Sequence, residues 1–125
     1  MKALTVCQPW AWAIIFGPKR IENRTWKTFY RGPLAIHAGK SKSHLSETLN
    51  DGTATPPDLT FGAFLGVVEL VDCVPVNEAP ADPFAEGPYC WLLEDPKPLP
   101  KPLPWRGAQL LWKAPEQIAT ILGAE

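Results

Sequence analysis

Proline is the residue that most restricts how this chain can fold, because it fixes φ and lacks a backbone N–H. Fifteen prolines and nine glycines are spread over 125 residues and leave little room for long helices. Valine, isoleucine, leucine, phenylalanine and tryptophan cluster in short runs between them. The sequence therefore predicts a mainly β (α+β) protein with short helices, in one domain over residues 1–125 with a modest core.

The apolar runs predict five to six strands. The clearest is residues 61–74, a run rich in β-branched residues that contains Glu69, an acid inside an otherwise apolar strand. Other strands are expected at 3–6, 21–26, 33–38, 89–93 and 108–112, and helices at 9–16, 41–49 and 115–122. Short strands with small helices favour a partly closed β-barrel.

The segment 96–104 carries a proline at every second residue. Recognition of a polyproline helix needs the P-x-x-P register instead. Because proline cannot donate to a strand ladder, we expect an extended edge segment that leads into the last strand. A protein-interaction role for this edge remains an alternative.

Charge is divided unevenly along the chain. Residues 1–44 contain eight of the twelve cations and one carboxylate, a balance of +7, while the rest contains four cations and twelve carboxylates, a balance of −8. This asymmetry predicts a local anion-binding face on an otherwise acidic protein. The alternative is that the two parts intermix in the fold and neutralise each other.

Metal and cofactor sites are not indicated. Cys7, Cys73 and Cys90 are far apart and form no C-x-x-C pair, and His37 and His44 have no cysteine nearby. Glycine-rich nucleotide loops, H-E-x-x-H and G-x-S-x-G are also missing. We therefore expect no metal, no cofactor and free, buried thiols.

Residues 1–16 resemble a signal peptide only in part. Gln8 and Pro9 interrupt the apolar run, and charged residues follow where small residues are needed for cleavage. No other stretch is long and apolar enough to span a membrane. We expect a cytoplasmic protein with no membrane partner.

The densest group of charged and aromatic residues is GPKRIENRTW, residues 17–26. On a strand, Glu22, Arg24 and Trp26 share one face, with Lys19 at its entrance. The cations can hold phosphate, and Glu22 can accept from them or from a base amino group. Trp10 or Trp26 can stack on a base. The alternative is an ordinary Glu–Arg pair on a solvated strand.

Residues 4–39 resemble the N-terminal signature of the ASCH family, whose pattern runs Q-P-W/Y-A, G-x-K-x-x-E-x-R and R-G-x-x-x-I-H-A. The matching residues are Gln8, Pro9, Trp10, Ala11, Gly17, Lys19, Glu22, Arg24, Arg31, Gly32, Ile36, His37 and Ala38. Segments 61–70 and 102–112 are similar to later strands of the family. The resemblance implies a PUA-like barrel that binds single-stranded RNA or a nucleoside or nucleotide in a cationic cleft beside the G-x-K-x-x-E-x-R strand.

The predicted ligand-binding set combines the motif residues with the charged strand. Its members are Gln8, Trp10, Lys19, Glu22, Arg24, Trp26, Arg31 and His37. His37 also has a simpler interpretation, because a histidine on a strand is more often packed or on the surface than a ligand.

A hydrolase is the alternative that the resemblance implies. Some small ASCH relatives deacetylate acetylated cytidine with a threonine three residues after the motif lysine, helped by that lysine and a later glutamate. Here that position is Glu22, while Lys19 and Glu69 fit the supporting positions. Other relatives are ribonucleases of single-stranded RNA. For such cleavage, Lys19, Glu22 or His37 are the candidates for the required base or cation. The candidate catalytic residues are therefore Lys19, Glu22 and Glu69.

Overall fold

Strands make up most of the regular structure, as the proline content predicts. The structure is a computed structural model that describes residues 1–123; Ala124 and Glu125 lie outside the described residues. The strands are β1 (Lys2–Val6), β2 (Ile21–Arg24), β3 (Gly32–Ala38), β4 (Ala63–Pro75), β5 (Tyr89–Pro104) and β6 (Leu111–Lys113). The helices are α1 (Trp10–Ile15), α2 (Glu116–Gly123) and a 3₁₀ turn at Val76–Glu78.

All six strands form one curled sheet in the order β2-β5-β4-β3-β1-β6. Only β1 and β3 pair in parallel; the other neighbours are antiparallel. The short strands β2 and β6 form the two edges, and the long strands β4 and β5 carry the curvature of a half-barrel. The predicted fold class, mainly β with short helices in a partly closed barrel, is confirmed.

Apolar side chains cover both faces of the sheet. On one face Ile14 of α1 packs in a core with Ile36 and the fully buried Trp91. On the other face Ile118 of α2 packs with Phe64. This two-sided cover explains why the first half of β4 appears as a continuous apolar run in the sequence, since residues 63–68 are buried on both faces.

The proline-rich segment forms the second half of β5. It pairs with β4, whereas β2 pairs only with the first residues of β5, from Tyr89 to Leu92. One side of β5 therefore has no neighbouring strand along the proline-rich segment. Proline suits this position because it has no N–H to donate to a neighbouring strand. The predicted extended edge segment is present, but it belongs to β5 instead of leading into β6.

Besides the longer β5 and the shorter β6, which begins at Leu111, two predicted elements differ from the structure. Residues 41–49 form turns with one bridge between Thr48 and Ala54, not a helix. Ser46 Oγ donates to the Thr48 carbonyl and accepts from its N–H, so the side chain competes locally with helix formation. Strand β2 ends at Arg24, because Trp26 turns away to pack edge-on against Trp91 with ring centroids 4.8 Å apart.

Candidate functional site

A cleft of about 280 Å³ opens beside the edge strand β2. Residues from β1, α1, β2 and four connecting segments line it: Thr5, Cys7, Trp10, Lys19, Glu22, Asn23, Arg24, Asn50, Phe84 and Glu86. The cleft therefore includes four residues that the sequence predicted for ligand binding, namely Trp10, Lys19, Glu22 and Arg24.

Glu22 lies at the centre of the charged residues in this cleft. Its Oε2 accepts from Arg24 Nε at 3.1 Å and lies 2.9 Å from Arg24 Nη2, while its Oε1 lies 3.6 Å from Lys19 Nζ. The side chains of Lys19 and Glu22 are only 4% and 8% exposed, whereas Arg24 is 24% exposed. A buried carboxylate needs such partners to offset the loss of hydration.

Lys19 is held in place by backbone and side-chain contacts. Its backbone N–H donates to the Ala13 carbonyl at 3.1 Å, and its Nζ donates to the Ile21 carbonyl. The ammonium also lies 5.4 Å from the Phe84 ring centroid. Burial lowers the pKa of Lys19, and the nearby charge of Glu22 opposes that shift only in part. Lys19 thus gives up its proton more readily than an exposed lysine.

Arg24 is the most accessible of the three charged residues. Its Nη2 also donates to the Thr5 carbonyl at 2.9 Å, so the guanidinium joins β2 to the end of β1. Within residues 1–123 no protein group accepts a hydrogen bond from Nη1. The guanidinium is therefore fixed in orientation while one end of it is free to meet a ligand.

Two asparagines fix the loops that form the far wall of the cleft. Asn23 Nδ2 donates to the Phe84 carbonyl at 2.8 Å, and its Oδ1 accepts from the N–H groups of Glu86 and Gly87 at 2.9 and 2.8 Å. Asn50 Nδ2 donates to Glu86 Oε1 at 3.0 Å. The sequence prediction missed both; an asparagine inside a strand was a usable sign of Asn23, but nothing local marks Asn50.

The lining of the cleft is balanced in charge. Two cations, Lys19 and Arg24, face two carboxylates, Glu22 and Glu86. The cationic cleft that the family resemblance implies is not confirmed, because Glu86, from the acidic part of the chain, makes the carboxylates of the lining equal in number to the cations. At this site the basic and acidic parts intermix, which was the alternative for the charge asymmetry.

Trp10 lines the cleft, but another ring is packed against it at a tilt. His44, an exposed residue of the loop 41–60, lies with its ring centroid 4.8 Å from that of Trp10 at 37°. The inner side of Trp10 packs against the core of Ile14 and Trp91. A base that stacks on Trp10 must therefore displace His44 or reach the indole edge.

Gln8 and Trp26 lie outside the lining of the cleft. Gln8 is fully buried, and its amide accepts from the Trp12 N–H at 2.9 Å and donates to the Thr60 carbonyl at 2.7 Å. Gln8 thus holds the start of α1 and the segment before β4. Trp26 packs on Trp91, and its carbonyl accepts from the Trp91 indole at 3.3 Å.

His37 is also outside the cleft, and it is packed as a core residue. Its Nε2 lies 2.7 Å from the Trp105 carbonyl and must donate there, so Nδ1 accepts from Thr5 Oγ1 at 3.3 Å. Phe64 and Trp112 contact the ring edge-to-face. Burial lowers the pKa of His37, which keeps the ring neutral.

Arg31 and Glu69 belong to other surfaces. Arg31 is exposed and lies 3.3 Å from the Asp72 carboxylate. Glu69 lies on β4 between Val68 and Leu70, whose side chains enter the α1-side core, and it lines a separate pocket near α2. The structure therefore does not bring Glu69 to Lys19 and Glu22.

Two further structural findings concern residues 1–123. No helix there is long and apolar enough to cross a lipid bilayer. No group of three or more His, Cys, Asp or Glu side chains is arranged to hold a metal ion.

Known proteins resemble this chain in sequence, and solved structures resemble it in fold. Activating signal cointegrator 1 of Homo sapiens is 28% identical over 131 residues, and its Mus musculus counterpart is 27% identical. Each match covers 92% of this chain but 22% of the relative, so the chain spans about a fifth of those proteins' length.

Solved structures of the ASCH protein of Zymomonas mobilis share the fold. That crystal structure has a TM-score of 0.61 at 16% identity, covering 98% of this chain and 93% of that one. A mutant of the same protein has a TM-score of 0.64 at 15% identity, covering 98% and 96%. The ASCH domain family model matches residues 4–102, which is most of the sequence. The chain therefore belongs to the ASCH domain family.

Proposed function

We propose that this ASCH domain binds single-stranded RNA or a nucleotide and takes one nucleoside unit into the cleft beside β2. The observation that carries this proposal is the position of Glu22 between the buried Lys19 and the partly exposed Arg24, inside a cleft of about 280 Å³. A concave site with a few convergent polar groups and aromatic walls is typical of small-ligand binding.

The floor of the cleft suits a base edge better than a phosphate. Glu22 Oε1 is 3.6 Å from Lys19 Nζ, too far for a hydrogen bond, so its lone pairs remain available. Lys19 Nζ donates to Ile21 and has further N–H groups to offer. A neighbouring acceptor and donor match the donor and acceptor groups of a nucleobase edge, whereas a phosphate would meet the repulsion of Glu22.

The rim of the cleft carries one residue that can contact a phosphate and one that can stack on a base. Arg24 Nη1 has no acceptor among residues 1–123 and belongs to an oriented, partly exposed guanidinium, which suits a phosphate oxygen. Trp10 offers an indole for stacking once His44 leaves it. In this arrangement Arg24 positions the backbone, and the Lys19–Glu22 pair contacts the base.

Binding of a labelled single-stranded RNA, followed by fluorescence anisotropy, tests the proposal. Arg24→Ala removes one charge-assisted contact and is expected to weaken binding by about tenfold or more. It should also flatten the dependence of log K on log salt, since one fewer phosphate is neutralised. Lys101→Ala, an exposed cation of β5 away from the cleft, is the matched control and should bind as the wild type does.

Two results would contradict the proposal. One is the absence of saturable RNA or nucleotide binding by the wild type. The other is an Arg24→Ala protein that is folded by its melting curve and binds with unchanged affinity and salt slope.

Hydrolysis of a modified nucleoside or of RNA is the second candidate. Burial lowers the pKa of Lys19, whose Nζ is beside Glu22 in the cleft, and a lysine with a lowered pKa can act as a general base. Incubation with acetylated cytidine and with single-stranded RNA, beside a Lys19→Ala control, tests it. Product formation no faster than with Lys19→Ala rejects the enzyme and leaves the binding proposal intact.

A further inference from the structure

The loop between β2 and β3, residues 25–31, presents a phenylalanine to solvent. Phe29 is 84% exposed, more than any other large hydrophobic side chain in the described part of the chain. A ring in this position gains nothing for the core, because it remains in water in the folded state.

The exposure of Phe29 is built into the loop. Thr28 beside it is buried, and its Oγ1 accepts from the Tyr30 N–H at 3.1 Å. Arg31 Nη1 donates to the carbonyls of Thr28 and Tyr30, both at 2.9 Å. The backbone on both sides of Phe29 is therefore hydrogen-bonded in a conformation that directs this one ring outward.

Positive charge accompanies the ring. Lys27 Nζ lies 5.1 Å from the Phe29 ring centroid, within cation–π distance. Residues 25–31 contain two cations, Lys27 and Arg31, and no carboxylate. Arg31 pairs with Asp72, so Lys27 is the cation that can meet a ligand. Proteins that bind single-stranded nucleic acids use this combination: bases stack on exposed aromatic side chains, and nearby cations contact the phosphates.

The loop is also close to the cleft along the chain. Phe29 is five residues beyond Arg24, so at full extension the two Cα atoms are at most about 18 Å apart. At about 3.4 Å per stacked nucleotide, a strand of roughly five nucleotides covers that distance.

We propose that Phe29 and Lys27 form a second contact point for single-stranded RNA, where a base stacks on the open face of Phe29 while Lys27 meets a neighbouring phosphate. This inference rests on the proposed function, because the strand reaches the loop from a nucleotide in the cleft. It extends the expected ligand from the single nucleotide in the cleft to a strand several nucleotides long.

Calorimetric titrations with two ligands test the inference. The ligands are a single-stranded RNA of about ten nucleotides and the common nucleoside monophosphates. Phe29→Ala is expected to weaken binding of the RNA by about tenfold and to leave monophosphate binding unchanged. Phe29→Trp should retain RNA binding. Phe16→Ala removes another exposed phenylalanine, 54% exposed at the end of α1, and should leave both ligands unaffected.

The outcomes separate this inference from the proposed function. If the wild type binds both ligands and Phe29→Ala binds the RNA with unchanged affinity, the second contact point is wrong and the cleft proposal stands. If Phe29→Ala weakens both ligands equally, the loop acts on the cleft itself and the second contact point is again wrong. If the wild type binds neither ligand, the proposed function fails first.

Discussion

Glu22 is the residue on which the cleft depends most, because it is the nearest opposite charge to the buried ammonium of Lys19. The two side chains are 8% and 4% exposed, and Arg24 meets the same carboxylate from its other side. Removal of one member of a buried ion pair leaves the other charge desolvated and uncompensated. The pair therefore contributes to the stability of the cleft as well as to its chemistry.

Glu22→Gln is expected to lower the free energy of unfolding by about 3 kcal/mol. Urea denaturation of the two proteins measures the difference. The double variant Lys19→Met with Glu22→Gln removes both charges and should recover much of the loss. A Glu22→Gln protein as stable as the wild type would contradict a stabilising pair between Glu22 and a buried, protonated Lys19.

His37 makes the stability of the protein depend on pH. Burial lowers the pKa of His37 below its usual value of 6.5. The unfolded chain then binds a proton more readily than the native state, so the free energy of unfolding falls as pH drops below about 6.5. Above that pH both states hold neutral imidazole and this contribution is constant.

Denaturation curves between about pH 7.5 and pH 5 follow this effect. His37→Gln should reduce the loss of stability over that range, while His44→Ala, which changes the exposed histidine, should retain it. An equal pH dependence in the wild type and His37→Gln would show that His37 does not titrate differently on folding.

The pairing of β4 with β5 shapes the half-barrel. Gly66 permits the close approach of these two strands. The register between the two strands shifts on both sides of Gly66. A Cβ at this position would lie 2.5 Å from the Lys97 carbonyl oxygen and 3.0 Å from Ile15 Cγ2. Glycine is therefore required by the close approach of the two backbones.

Gly66→Ala is expected to destabilise the protein by about 3 kcal/mol or more, because backbone atoms must separate to admit the methyl group. Thermal denaturation measures the change. Gly123→Ala at the end of α2, where a Cβ meets nothing within 4 Å, is the control and should change stability little. A Gly66→Ala protein that melts with the wild type would contradict the tight β4–β5 contact.

The sequence predicted those features that depend on residues near one another in the chain, and it missed those that depend on residues far apart. The apolar run 61–74 identified β4, and the spacing of Lys19, Glu22 and Arg24 identified the charged centre, because both patterns are local. The loops were not predictable in this way. Asn50 and Glu86 reach the cleft only through tertiary contacts. Gln8 and His37 fit the family pattern, yet their polar atoms are hydrogen-bonded within the fold.

At the scale of the whole molecule, the fold reduces the charge asymmetry that the sequence shows. A chain with a balance of +7 before residue 45 and −8 after it has a net charge of −1. At the cleft, Glu86 of the acidic part joins three charged residues of the basic part, which gives two cations and two carboxylates. Long-range attraction of RNA is therefore weak. We expect affinity to come from contacts in the cleft, with a shallow salt dependence set by few phosphates.

The most direct test of a nucleotide in this cleft is a ¹H–¹⁵N NMR titration of the full chain with the common nucleoside monophosphates. Saturable shifts are expected for the Arg24 Nε–H, the Asn50 side-chain amide and the Trp10 indole N–H, with little change for the Trp112 indole N–H in the opposite core. Saturable shifts elsewhere with none at these three groups, or no shifts with any monophosphate, would contradict the proposed site.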